Sequence, residues 1–318
     1  MESMYSDSLK NVYLAKGAFV PETSLSREIT INRTYDTSLK NLFDFFKDPE
    51  KVAKWWGPDH FVTSEVEVEA RVGGSYSLTM TGMGFSQRII GTIVEYEEDR
   101  ALAVENRVEH DGSIVLRSSF RVTIEETGEA STLTLVAKAT IANEQMISAL
   151  WGMYAGWNQS LQRLDDALVD RIDRTLVVLS GLDAPANEVF EYWTISEKLA
   201  KWWGPKGFAT QISDMELSVG GGCSITMRSS EGEVFVNRIT YKEIDAPKRL
   251  CFRHGLEGSE DPAFDVVVLF DEMGPQTVVS MRFIFDSKSD LDRTVNKFHA
   301  KQGAEESLSR LGEIFSTR

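Results

Sequence analysis

Apolar positions change their period along this chain, and they do so twice in the same order. Residues 27–35 (REITINRTY) and 174–182 (RTLVVLSGL) alternate or run apolar with β-branched side chains, which predicts a strand opening each half. Helical spacing then takes over, at Leu39, Leu42, Phe43 and Phe46 in the first half and at Ala186, Val189, Phe190 and Trp193 in the second. Asp36 and Asp183 are the candidate N-caps of these short helices, with Pro185 near the first helical position, where its missing N–H costs nothing. A second helix is predicted over EKVAKWW (50–56) and EKLAKWW (197–203), with Asp48-Pro49 and Ser196 at its starts. The Gly-Pro that follows forbids its continuation. From Phe61 to about residue 140, and from Phe208 to about residue 286, apolar residues alternate with charged ones, which predicts strands covered on one face and wet on the other. The Gly73-Gly74 and Gly220-Gly221 pairs mark a turn or bulge between the first two of these strands. Leu150, Met153, Trp157, Leu161, Leu164 and Leu168 then form one apolar stripe, predicting a long amphipathic terminal helix.

The repetition reaches individual residues. EKVAKWWGPDHF (50–61) and EKLAKWWGPKGF (197–208) share nine of twelve positions, and the same 147-residue offset carries VGGSYSLTM (72–80) onto VGGGCSITM (219–227). Gly156, Ser160, Leu161, Arg163 and Leu164 map likewise onto Gly303, Ser307, Leu308, Arg310 and Leu311. The register slips by about one residue in between, where Leu102 best matches Leu250, and the middle strands diverge. A period this long means two complete domains and not a solenoid. The expected organisation is an N-terminal extension (1–25), a first domain (26–171) and a second (172–318), a division that also suits 318 residues as two ordinary cores.

Strand, two short helices, an antiparallel meander and a long terminal helix describe a curved sheet gripping a helix. With WWGP, the following V-G-G and the terminal G-W-x-x-x-L-x-x-L at Gly156, Trp157, Leu161 and Leu164, the chain resembles the activator-of-Hsp90-ATPase-like (AHSA1-like) branch of the START/Bet v1-like (SRPBCC) superfamily, twice over. The resemblance implies an α+β fold of two tandem helix-grip domains, each with an apolar cavity between the sheet and the long helix. The second copy departs at Ala304, where the family usually carries Trp, and at Asn237, set opposite Gly91 of the first copy. Position in such a fold nominates Trp55, Phe61, Met80, Met83, Trp151, Tyr154 and Trp157 as cavity-lining residues of the first domain. Trp202, Phe208, Met227, His254, Phe298 and Ala304 are their candidates in the second. One indole of each Trp-Trp pair is expected to plug the core while the other lines the cavity mouth, since neighbouring helical residues do not face the same way. Exchanging Trp157 for Ala304 removes a large volume, so the two pockets are expected to differ.

Composition narrows the function. A net charge of −15, from 34 Lys and Arg against 49 Asp and Glu, repels phosphate backbones and anionic headgroups, which speaks against nucleic-acid binding. Cys223 and Cys251 are not in CxxC spacing, which suits a reduced, cytoplasmic protein. No apolar run approaches the roughly 20 residues of a membrane helix, and the first residues do not read as a secretion signal. His60, His110, His254 and His299 sit in no HExxH, HxH or Cys/His cluster, and neither a G-x-S-x-G elbow with His and Asp partners nor a P-loop is present, so no metal, cofactor or catalytic residue is assigned. A buried carboxylate such as Glu105 or Asp265 remains the route to acid/base chemistry. Three functions stand: non-enzymatic binding or sensing of a hydrophobic small molecule (lipid, aromatic or polyketide-like), regulation of an Hsp90-type chaperone through protein contact, and a cyclase- or hydrolase-type enzyme using the same cavity. The co-chaperones that named the branch contact Hsp90 through a separate N-terminal domain, and both halves here are of the other type. The short junction near DRIDRT (170–175) predicts a monomer with its two domains packed together, and a sedimentation mass of two chains would contradict it.

Overall fold

The structure, a computed structural model, describes residues 25–316 except 83, 111–112, 142–146, 257 and 259–260. Its described residues fall into two compact units that meet at Asp170 and Arg171.

In the first unit β1 (Leu25–Tyr35) is followed by α1 (Leu39–Lys47), α2 (Pro49–Trp55) and a meander of β2 (Val62–Val68), β3 (Tyr76–Gly82), β4 (Phe85–Glu97), β5 (Ala101–His110), β6 (Ser113–Thr127) and β7 (Ala130–Ile141). The strands form one antiparallel seven-stranded sheet in the order β1-β7-β6-β5-β4-β3-β2. Helices α3 (Ile147–Trp151) and α4 (Met153–Leu168) close the unit. The second unit repeats this plan with β8 (Thr175–Leu182), α5 (Ala186–Thr194), α6 (Ser196–Leu199), β9 (Ala209–Ser213), β10 (Gly222–Arg228), β11 (Val234–Asp245), β12 (Arg249–Leu256), β13 (Phe264–Met273), β14 (Gln276–Ile284), α7 (Lys288–Phe298) and α8 (Ala300–Ser316). Its sheet order is β8-β14-β13-β12-β11-β10-β9.

Period-2 burial along β7 sends Leu133, Leu135 and Ala137 inward, where they share a core with Leu42, Phe43 and Phe46 of α1 and Leu161 and Leu164 of α4. This is the helix grip: an apolar helix stripe laid across the inner face of a curved sheet.

Local details differ from the sequence reading where side chains compete for the same backbone groups. Ser38, two residues beyond Asp36, caps α1 by accepting the Asn41 N–H, and Pro185 itself occupies the cap position of α5. Asp48 does cap α2, accepting from Glu50 and Lys51 N–H with Pro49 next in line. Ile195 precedes α6, so Ser196 is its first helical residue. The long terminal helix is interrupted in both units, at Gly152 and at His299, whose φ of 50° is left-handed and ends α7. Strands β13 and β14 are buried on both faces, unlike the one-sided sheet expected; in β13 the consecutive apolar run 266–270 supplies both faces, while β14 also buries Ser280 and Arg282. Cys251, Val267, Leu269 and Ile284 form a separate apolar cluster there.

Hydrogen-bond register also settles which residues correspond. Leu78 pairs with Ile89, and its counterpart Ile225 pairs with Asn237. Asn237 therefore stands where the first unit has Ile89, not Gly91; the counterpart of Gly91 is Ile239.

Candidate functional site: a cavity in the second domain

The repeated WWGP segment is built as a clip. Trp55 and Trp202 are fully buried, and each indole N–H donates to a backbone carbonyl ten residues earlier, Phe45 O and Tyr192 O, at 2.8 Å in both units. The next residue leaves the helix: Trp56 has extended backbone (ψ 136°), so its ring turns towards the interior. Gly57 and Gly204 follow at φ +93° and +96°, a conformation only glycine adopts without strain. The carbonyls this turn frees are collected by one arginine from the long helix. Arg163 Nη1 donates to Gly57 O (2.9 Å), Phe61 O (3.0 Å) and Pro58 O (3.2 Å). Arg310 repeats this with Gly204 O (2.8 Å) and Pro205 O (3.2 Å), and its Nη2 reaches Lys201 O (3.1 Å). Thr63 and Thr210 hydroxyls hold the Trp56 and Trp203 carbonyls at 2.7 and 2.6 Å. The string occurs twice because each domain needs it to lock a helix end to the long helix. Gly204→Ala places a Cβ 3.0 Å from Met227 Sδ at a left-handed φ; the expected loss is about 1–3 kcal/mol in urea unfolding, with a matching loss for Gly57→Ala.

What the two clips enclose differs. In the first domain four aromatic rings fill the space between sheet and helix. Trp157 meets Trp56 edge-on at 5.2 Å and Phe120 at 5.3 Å, and Trp56 contacts Phe120 (5.1 Å) and Tyr76 (5.5 Å). Register identifies their counterparts. Phe120 pairs with Val104 and Val266 with Phe252, while Tyr76 maps to Cys223. Of the quartet the second domain keeps only Trp203; the others become Val266, Cys223 and Ala304. Part of the volume is refilled by Tyr241 in place of Ile93 and by His254 and Phe264 in place of Asn106 and Ser118. The rest is a cavity of about 480 Å³, within the usual range of small-molecule sites.

Of the residues nominated from sequence in the second domain, Trp202, Phe208, Met227, His254 and Ala304 line this cavity. Phe298 ends α7, and its side chain lies outside the described residues. In the first domain Trp55 sits fully buried in the core beside Phe46, at 4.9 Å. Phe61 is buried, Met80, Tyr154 and Trp157 pack against the main core, and Trp151 packs on a satellite cluster with Ile147 and Leu150. Met83 lies outside the described residues. Sequence reasoning missed Trp203, Asn237, Phe264 and Thr294, which also line the cavity. In the second domain both tryptophans of the pair line the cavity, so the nomination of Trp202 stands and Trp203 joins it.

The wall is mostly apolar but carries polar groups without partners: Asn237 Nδ2, His254 Nδ1 and Thr294 Oγ1. His254 stacks on Phe264 (4.8 Å) and on Trp203 (6.2 Å), its ring tilted by 28° and 30° to theirs. Burial pushes its imidazole down to about 4, so it is neutral at pH 7. A folded-state value below the ordinary 6.5 means that the unfolded chain binds more protons between pH 6.5 and 4. Stability is complete above pH 6.5 and falls as pH drops, by on the order of 3 kcal/mol at the low end. His254→Phe is expected to flatten this part of the acid-unfolding profile of the second domain; an unchanged profile would contradict a buried neutral imidazole. At the rim Asp261 accepts from Arg293 and from Lys297 (3.1 Å), tying the segment before β13 to α7.

Reactive groups lie elsewhere or are subdued. Glu105 is exposed, and Asp265 is ion-paired with Lys242 at 2.7 Å. Burial pushes the Cys223 and Cys251 thiols up to about 11 and about 12. Among the described residues no three His, Cys, Asp or Glu side chains come together as a metal site. No described helix is long and apolar enough to cross a membrane.

Two tandem α+β units, each a seven-stranded antiparallel sheet closed over a long C-terminal helix, define a double helix-grip protein. The profile of the Activator of Hsp90 ATPase homolog 1-like family matches residues 36–169 and again 183–316, and the chain belongs to that family. Among solved structures it is similar to a protein from Arthrobacter aurescens, at 20% identity over 46% of this chain and 88% of that one, with a TM-score of 0.44. A Chromobacterium violaceum protein shows 23% identity over 44% and 96%, with a TM-score of 0.40. A Mycobacterium smegmatis protein shows 20% identity over 46% and 92%, with a TM-score of 0.42. No curated protein matches the chain.

Proposed function

We propose that this protein is a non-enzymatic binder of one apolar small molecule per chain, held in the second domain, and that the first domain is a filled copy with a structural role. The observation that carries this reading is the paired substitution pattern: three of the four aromatic residues that pack the first interior are small in the second, and an apolar cavity of about 480 Å³ results. Large-to-small changes in a core cost stability unless something fills the space, which favours an occupant. Among the described residues, the imidazole buried in the wall, His254, is neutral at pH 7 and Lys297 is held by Asp261 at the rim, which supports binding over turnover. The two unpaired, buried thiols suit a reducing, cytoplasmic setting.

Isothermal titration of the full chain with naphthalene-sized neutral compounds, and separately with medium-chain fatty acids, tests the proposal. Saturable binding at one site per chain is expected from at least one class. Non-saturable uptake by every compound would overturn it.

A further inference from the structure

The polar groups of this wall say what the occupant must present. Asn237 is 2% exposed, and its Nδ2 has no hydrogen-bond partner. On the adjacent strand His254 pairs directly with Ile239, so Asn237 and His254 are diagonal neighbours on one face of the sheet, roughly 7–8 Å apart. Both line the cavity, and the His254 Nδ1 is also unpartnered. The first domain has Ile89 where Asn237 stands, so a buried amide arrives in the same domain in which the cavity opens. A buried amide N–H left unpaired is costly, and a ligand oxygen is the partner that removes the cost. Among the described residues, the charged side chains lining the cavity are Glu233, Asp261 and Lys297, with the exposed His299 also at the wall, and Lys297 is paired with Asp261. A carboxylate drawn deep beside Asn237 and His254 would incur the desolvation of a buried charge, which a neutral carbonyl avoids.

Resting on the binding reading above, we infer that the ligand is a neutral carbonyl compound with an apolar body, its oxygen accepting a hydrogen bond from the Asn237 amide beside His254. Three matched probes separate this inference from the binding reading itself: 2-acetylnaphthalene, 2-ethylnaphthalene and 2-naphthoate, titrated into the full chain by calorimetry. The ketone is expected to bind wild type about five- to tenfold tighter than the ethyl compound, with naphthoate weakest. In Asn237→Ile, which installs the residue of the first domain, the ketone's advantage over the ethyl compound is expected to vanish. Equal binding of ketone and ethyl compound by wild type would overturn the inference and leave the cavity reading standing. So would an advantage that survives in Asn237→Ile, or tightest binding by naphthoate. If no probe binds, both fall together. The wild-type comparison stands alone should Asn237→Ile fail to fold.

Discussion

Ala304→Trp is expected to abolish saturable binding of naphthalene-sized compounds while the protein stays folded. Residue 304 stands where Trp157 closes the first interior against Trp56 and Phe120, and the second domain offers more room than the first because Val266 and Cys223 are also small. A Trp there fills existing space, so the overpacking cost of about 1–3 kcal/mol typical of a closed core does not apply in full. Retained binding in this variant, measured by calorimetry beside an unchanged unfolding curve, would place the site elsewhere. The reverse change, Trp157→Ala, is expected to cost the first domain about 3–5 kcal/mol. Phe120 and Tyr76 remain in place, so it opens only part of a pocket.

The second large effect concerns the arginine that gathers the WWGP carbonyls. Arg310→Met removes charge-assisted donors from Gly204, Pro205 and Lys201 carbonyls, and Arg163→Met does the same at Gly57, Pro58 and Phe61. Each is expected to destabilise its own domain by about 1.5–3 kcal/mol. Lysine at either position is expected to rescue little, because one ammonium does not reproduce the guanidinium fork. Urea unfolding followed by tryptophan fluorescence checks both. Equal losses in the two domains are the signature of a structural clip; a loss confined to the second domain would instead tie the motif to the ligand cavity.

The repeat and the fold were legible because the residues that write them are locally constrained. Gly57 and Gly204 must be glycine for their positive φ, the Trp55 and Trp202 rings must fill the same socket, and Arg163 and Arg310 must reach the same carbonyls. The Ala304 departure was readable for the same reason, since it lies in a helix where the 147-residue offset holds. So was the change from Tyr76 to Cys223, which lies in the segments VGGSYSLTM and VGGGCSITM that the same offset aligns; the change from Phe120 to Val266 was not. Counterparts lie 148 residues apart in β5 and β12 but 146 apart in β6 and β13, as the pairing of Val104 with Phe120 and of Phe252 with Val266 shows. A fixed 147-residue offset sets Phe120 against Val267, which faces the other side of the sheet from Val266, and the match of Asn237 to Gly91 used an offset of 146 where these strands have 148. Which tryptophan of each pair faces the interior depends on the backbone turning extended at Trp56, and neither residue type nor spacing carries that.

The central claim, one occupied domain beside one filled copy, is tested most directly by native mass spectrometry of the full-length chain over a rising concentration of 2-acetylnaphthalene. The account predicts a single adduct that saturates at one ligand per chain, absent in Ala304→Trp. Saturation at two ligands per chain, or an adduct undiminished in that variant, would contradict it.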